Sequence, residues 1–192
     1  MSLTSGEQAF INSLYGLVGA GDQPTDRATL AGLRRGLGKE PGSVPEVSRQ
    51  VYRYLPDEAL EPEIRNRFLI ATLFGLHPRP APSANETLGD LGHSLALLVG
   101  RLGEDRRQGI ERRFKALLSA RVEGLPVHLR QMVTLLHANE VPIDYARLLG
   151  DLRWWESQKR TVQRQWARSF WSDKNSNSQV QSDGESDTPE TS

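Results

Sequence analysis

Residues 64–76 read IRNRFLIATLFGL, and this stretch decides the fold class. Its apolar side chains fall on most sides of a helix and do not alternate as they would in a half-buried strand. Pro62 comes shortly before it and suits the first turn of a helix. We therefore predict a helix that is opened by Pro62 and buried at the centre of the N-terminal half, because a helix that is apolar nearly all round needs cover from other elements.

The segments on both sides of this central stretch also show helical spacing of their apolar residues, and none alternates strictly enough to predict a strand. Glycine, proline and capping residues set their expected ends. The sequence thus predicts an all-α protein of about nine helices. Their expected ranges are 6–18, 25–37, 45–55, 64–76, 88–102 with Thr87 as a possible cap, 104–121, 127–137, 142–152 opened by Pro142, and 156–171.

The predicted helices fall into two groups separated by a proline-rich connector. Residues 77–83 read HPRPAPS, and three prolines at alternate positions favour an extended, stiff chain. We predict an N-terminal helical lobe over 1–82 and a C-terminal helical lobe over 83–171, packed together. Residues 172–192 are almost entirely polar and cannot bury enough apolar surface to offset the entropy of ordering, so we predict a disordered acidic tail.

The formal net charge of zero conceals an uneven distribution. The last 20 residues carry five acids and one base, which leaves 23 basic and 19 acidic side chains over residues 1–172. Twenty of the 24 basic residues are arginine, a ratio that either codon usage or phosphate binding explains. The chain has no cysteine, no apolar run near the ~20 residues of a membrane span, and no secretory signal pattern at its start. We expect a cytoplasmic protein that does not enter a membrane.

The sequence contains no motif that indicates catalysis, a metal site or a cofactor. The four histidines form no His-Glu-x-x-His pair, which favours surface or capping roles for them. Gly38-Lys39 superficially resembles a phosphate loop, but Leu33 stands where the first glycine belongs and Glu40 replaces the magnesium-binding hydroxyl. The carboxylates fall on the polar faces of predicted helices. We therefore predict no catalytic residue, no metal ligand and no cofactor.

Basic residues cluster on several predicted helices. A run around the sixth helix includes Arg106, Arg113 and Arg121, which helical geometry places roughly along one stripe. Such a stripe matches phosphates about 6–7 Å apart on a nucleic-acid strand, although an arginine-rich helix can equally display a solvated face. Arg65 and Arg130 each interrupt a largely apolar helix, so each needs an internal acid or an external ligand. In the tryptophan-rich C-terminal third, by contrast, Trp155, Val162, Trp166 and Phe170 recur at near-helical spacing, which favours core packing of the aromatic residues over base stacking.

Several stretches, in this order, resemble the CasB family of small subunits of type I-E CRISPR Cascade complexes. Each is weakly specific alone, and together they span most of residues 6–171. They are IATLFGLHP (70–78), LG (88–89), ERRFKALL (111–118), HLRQMV (128–133), PIDYARLLGDL (142–152), WW (154–155) and QWARSFW (165–171). The acidic tail is not part of this pattern.

The resemblance implies a helical subunit without nuclease activity. Such a subunit lies beside the backbone and large subunits of Cascade, with another copy of itself and with the guide RNA. Its basic surface would hold target DNA and the displaced single strand of an R-loop in antiviral defence. The residues that match the family's nucleic-acid contacts are Arg34, Arg35, Arg65, Arg112, Arg113, Arg121 and Arg130. The alternative is a structural protein-interaction module without intrinsic nucleic-acid binding, in which the arginines meet acidic faces of neighbouring subunits.

Overall fold

The computed structural model describes residues 2–19, 23–83 and 86–178, and over these residues it contains nine α-helices and no strand. The predicted all-α class is confirmed. Residues 179–192 of the predicted tail lie outside the described part. None of the described helices has both the length and the apolar character of a membrane span. In chain order the helices are α1 (Ser5–Gly16), α2 (Arg27–Arg35), α3 (Pro45–Tyr52), α4 (Glu61–Leu76), α5 (Leu91–Leu102), α6 (Glu104–Ser119), α7 (Leu125–Ala138), α8 (Tyr145–Leu152) and α9 (Thr161–Ser178).

Helix α4 is the central element, as its sequence predicts. Every residue from Asn66 to Gly75 except Leu69 is buried. The helix packs against α2 and α3 from the N-terminal half and against α7 and α8 from the C-terminal half. One hydrophobic cluster therefore runs across the proline-rich connector. The division into two lobes stays a prediction.

Two close helix approaches depend on glycine. A Cβ built on Gly75 of α4 would lie 2.7 Å from the Leu33 Cβ of α2. A Cβ on Gly92 of α5 would lie only 2.0 Å from the carbonyl oxygen of Trp166 in α9. Both distances are shorter than van der Waals contact allows, so the missing side chain lets each pair of helices touch through their backbones.

Three helices, α5, α8 and α9, start at least three residues later than predicted, each for a local reason. Helix α5 starts after Asp90, not Thr87, because the Asp90 carboxylate accepts a hydrogen bond from a backbone N–H of the first turn at 3.0 Å. Asp144 caps α8 in the same way at 2.8 Å, two residues after Pro142. Helix α9 starts only after Arg160, whose backbone φ of 48° lies outside the right-handed helical region.

Candidate nucleic-acid interface

The seven arginines predicted as nucleic-acid contacts all reach the surface, one half-buried and six exposed. They lie at the end of α2 (Arg34, Arg35), near the start of α4 (Arg65), in α6 (Arg112, Arg113), just after α6 (Arg121) and in α7 (Arg130).

The two arginines of α2 are engaged within the protein. Arg34 donates from Nε to the carbonyl oxygen of Gly75 at 3.0 Å, which ties the end of α2 to α4. Arg35 forms an ion pair with Glu46 of α3, its Nη2 lying 2.7 Å from a carboxylate oxygen. Each guanidinium stays exposed and keeps further N–H groups, but part of its donor capacity serves the fold.

An open cleft of about 410 Å³ lies between the loop after α2, the face of α4 and the start of α7. We call it the Arg65 cleft, because Arg65 of α4 lines it. Its surface is largely apolar, and the side chain of Val127 in α7 is 59% exposed there. The apolar residues that line it include Val44, Val47, Phe68, Leu69, Val122 and Val127.

The structure brings two of the predicted arginines to this one cleft. Arg65 is part of its lining, whereas Arg121 is not. Arg130 approaches from α7, since a Cβ built on the lining residue Gly38 would lie 3.8 Å from the Arg130 Nη1. Arg65 and Arg130 are 65 positions apart in the sequence. Only the packing of α4 and α7 around the loop after α2 places them together.

The cleft carries further charges that the sequence did not single out as ligands. Lys39 lines it and adds a third cation, although the sequence shows this residue only within a rejected phosphate-loop pattern. Glu40 and Glu123 also line it. Arg65 lies 3.7 Å from a carboxylate oxygen of Glu156, and both side chains are partly exposed, which makes this ion pair weak.

The arginines of α6 form a separate exposed group. Within the described part of the chain, Arg112 and Arg113 have neither a hydrogen bond nor an ion pair from their side chains. The predicted stripe is shorter than expected. Arg106 and Arg113 lie on α6. The helix ends at Ser119 and the backbone of Ala120 is extended, so Arg121 does not continue the stripe.

One further arginine of α4, Arg67, belongs to a buried charge cluster. Arg67 is only 3% exposed, although it lies two residues from the surface-reaching Arg65. Burial lowers the pKa of Arg67, and the nearby carboxylates of Glu7 and Glu63 oppose that shift. Glu7 is itself buried and lies 3.1 Å from an Nη1 of Arg153. This cluster brings together charges of α1, α4 and the end of α8. The Nε and Nη1 of Arg67 are buried without a hydrogen-bond partner among the described residues, so the charges of the nearby carboxylates are what offsets its burial.

Of the two roles predicted for the histidines, His77 has the capping one. It is the C-cap residue of α4, it is buried, and its Nε2 lies 2.8 Å from the carbonyl oxygen of Val141. Because a carbonyl only accepts, Nε2 donates its proton there, and Nδ1 accepts from His137 at 3.2 Å. Burial lowers the pKa of His77, which favours the neutral ring. Over the residues that the structure describes, no group of three or more potential metal ligands is found.

Known proteins share both the sequence pattern and the fold. The sequence model of the CRISPR-associated protein Cse2 family matches residues 29–171. A CRISPR-associated protein Cse2 of Thermus thermophilus is 33% identical over 148 residues, which are 75% of this chain and 79% of that protein. The crystal structure of M. ruber CasB shows 31% identity and a TM-score of 0.72, covering 93% of this chain and 99% of that one. A chain of a CRISPR RNA-guided surveillance complex shows 25% identity and a TM-score of 0.72, covering 91% and 96%. The chain therefore belongs to the Cse2 family of CRISPR-associated proteins, also named CasB.

Proposed function

We propose that this chain is the small, non-catalytic subunit of a type I-E Cascade surveillance complex and that its exposed arginines hold DNA. The family membership and the likeness to a chain of a surveillance complex support this role. Its proposed partners are the backbone and large subunits, a second copy of this chain, the guide RNA and both strands of the target DNA. We place this assembly in the cytoplasm.

The observation that carries the proposal is the set of arginines without internal partners. Arg34 and Arg35, by comparison, each bind an acceptor within the protein. Arg112, Arg113 and Arg130 are exposed, and the described residues offer their guanidinium groups no hydrogen bond or ion pair. A guanidinium carries five N–H donors in a planar fork that matches a phosphate. These side chains are therefore available for a nucleic-acid backbone.

Phosphate contacts of this kind suit the task of holding an R-loop. The guide RNA supplies sequence recognition by base pairing, and the exchange of one duplex for another is nearly balanced in free energy. Contacts to the backbone of the displaced strand then favour the open R-loop over the closed DNA duplex, without reading the sequence of the strand. Each arginine that binds a phosphate also releases counterions, so the affinity falls as the salt concentration rises.

A structural role without intrinsic nucleic-acid binding is the competing function, and it requires that exposed apolar side chains form a surface that neighbouring subunits cover. Leu60 is 68% exposed and Trp154 is 50% exposed. Apolar side chains exposed in this way mark surfaces that neighbouring subunits cover when they lie together in a patch. In that case the free protein binds no single strand, while the assembly still depends on the arginines.

The test is fluorescence anisotropy of a labelled single-stranded DNA titrated with the protein at several salt concentrations. The variant Arg112→Ala/Arg113→Ala/Arg130→Ala removes three of the proposed contacts. If all three bind phosphate, the slope of log affinity against log salt becomes shallower by about 2, since each contact to a single strand contributes about 0.7.

A control variant with the same loss of charge separates contact from general attraction. Arg49→Ala/Arg164→Ala/Arg168→Ala removes three exposed arginines that lie outside the proposed set. We expect this variant to keep most of the intact slope. Equal slopes for the two variants would mean that only net charge matters, and absence of binding at low salt would refute intrinsic strand binding.

A further inference from the structure

We propose that the Arg65 cleft binds one unpaired nucleobase of a single strand, while the cations at its edge hold the neighbouring phosphates. This inference rests on the strand binding proposed above and adds a site for the base itself. The cleft volume of about 410 Å³ falls within the range of about 300–1,000 Å³ seen for small-ligand sites.

The apolar surface of the cleft is suited to the face of a base. Phe68 and Leu69 of α4 line it, and so do Val122 after α6 and Val127 of α7. Val127 is 59% exposed, so the fold itself leaves this surface uncovered. Every base has an apolar π-face, and burial of such a face against side chains needs no particular sequence. The cleft therefore offers an unpaired base a contact that the exposed arginines of α6 do not.

The charges around the cleft favour a nucleotide over an apolar protein segment. A nucleotide places an anionic phosphate within a few ångströms of an apolar ring, and the cleft places Arg65, Lys39 and Arg130 beside its apolar lining. An apolar peptide side chain has no group for these cations to bind. The carboxylates of Glu40 and Glu123 also have a use here, because they accept hydrogen bonds from the exocyclic amino groups of bases.

Arg65 has an ion-pair partner that a phosphate can displace. Its Nε is buried and has no hydrogen-bond partner among the described residues. Its contact with Glu156 is long, at 3.7 Å, and lies where solvent screens it. A phosphate near the cleft therefore competes with a weak internal partner and not with a buried one.

The test compares two labelled strands with equal numbers of phosphates, one with bases and one made of abasic sites. The full chain is titrated with each strand by fluorescence anisotropy. We expect roughly tenfold tighter binding of the strand with bases, the size of one buried base contact. The variant Val127→Asn makes the exposed wall of the cleft polar, and we expect it to reduce this preference to about threefold without changing the affinity for the abasic strand.

The variant Leu97→Asn is the matched control, because Leu97 is 40% exposed on α5 and does not line the cleft. It should leave the affinity for both strands unchanged. Equal binding of the two strands would overturn the base site while leaving strand binding intact. A preference that Val127→Asn does not reduce would place the base contact elsewhere and also overturn it. Binding of neither strand would refute the proposed function as well.

Discussion

The buried charge cluster of α1, α4 and α8 gives a sharp prediction about stability. Glu7 is 4% exposed, and one of its carboxylate oxygens lies 3.1 Å from Arg153 and 2.8 Å from the backbone N–H of Thr4. Arg67 is buried beside it. The variant Glu7→Gln keeps an oxygen that can accept from Thr4 but removes the buried negative charge that pairs with Arg153 and lies near Arg67. It therefore tests the charge and leaves the helix cap in place.

The expected cost follows from burial, not from distance. A buried cation that loses its counter-charge keeps its desolvation penalty, and breaking such a pair costs about 3–5 kcal/mol. For a protein of this size the melting temperature should fall by roughly 10 °C. The ion pair between Arg35 and Glu46 is shorter, at 2.7 Å, but both side chains are exposed. Glu46→Gln should therefore leave the free energy of unfolding almost unchanged.

The assay is urea unfolding followed by tryptophan fluorescence, at low salt and with about 0.5 M sodium chloride. Salt screens exposed charges far more than buried ones, so the effect of Glu7→Gln should persist at high salt. A stable Glu7→Gln protein, or equal costs for the two variants, would refute the argument that burial decides the strength of these pairs.

Three further predictions follow from other parts of the fold. Gly92→Ala would place a Cβ 2.0 Å from the carbonyl oxygen of Trp166, so α5 and α9 must separate. We expect the melting temperature to fall by about 5 °C in a thermal scan, and an unchanged value would contradict the close approach. Burial raises the pKa of Asp151, so the folded state binds its proton more tightly than the unfolded state, and stability is lost as the pH rises above about 4. Asp151→Asn can still accept from the Trp166 indole, and it should flatten this loss in unfolding curves measured across pH; a decline as steep as in the intact protein would contradict it. Residues 179–192 carry four acids and no base, so a chain that stops at residue 178 should bind single strands a few-fold more tightly at low salt. An equal gain at high salt would show that charge is not the cause.

The fold class was predictable because apolar spacing reports directly on helices. The near-continuous apolar run of α4 predicts a buried helix, and the structure confirms it. Helix ends were less predictable, since a cap is chosen by tertiary contacts as well as by local sequence. Thr87 and Asp90 are both good capping residues. The structure uses Asp90 because its other carboxylate oxygen also accepts from Ser169 of α9 at 2.8 Å and lies near Arg147 of α8 at 3.5 Å.

The candidate site was predictable only in part, for a similar reason. Arg65 and Arg67 are two residues apart on one helix, which turns them about 200° from each other. The sequence shows that they point in different directions, but not which one faces the core. That choice depends on Glu7, some 60 positions away in α1. The meeting of Arg65 and Arg130 at one cleft likewise depends on how α4 and α7 pack.

The measurement that tests the central claim most directly is the lifetime of an R-loop on a complex reconstituted with this chain. The intact protein is compared with Arg112→Ala/Arg113→Ala/Arg130→Ala and with the charge-matched control Arg49→Ala/Arg164→Ala/Arg168→Ala, after each is shown to enter the complex. Our account predicts that the first variant shortens the lifetime of the R-loop severalfold, and that added salt shortens it less for this variant than for the intact protein. An R-loop that lasts equally long with all three proteins would contradict the claim that these arginines hold the displaced strand.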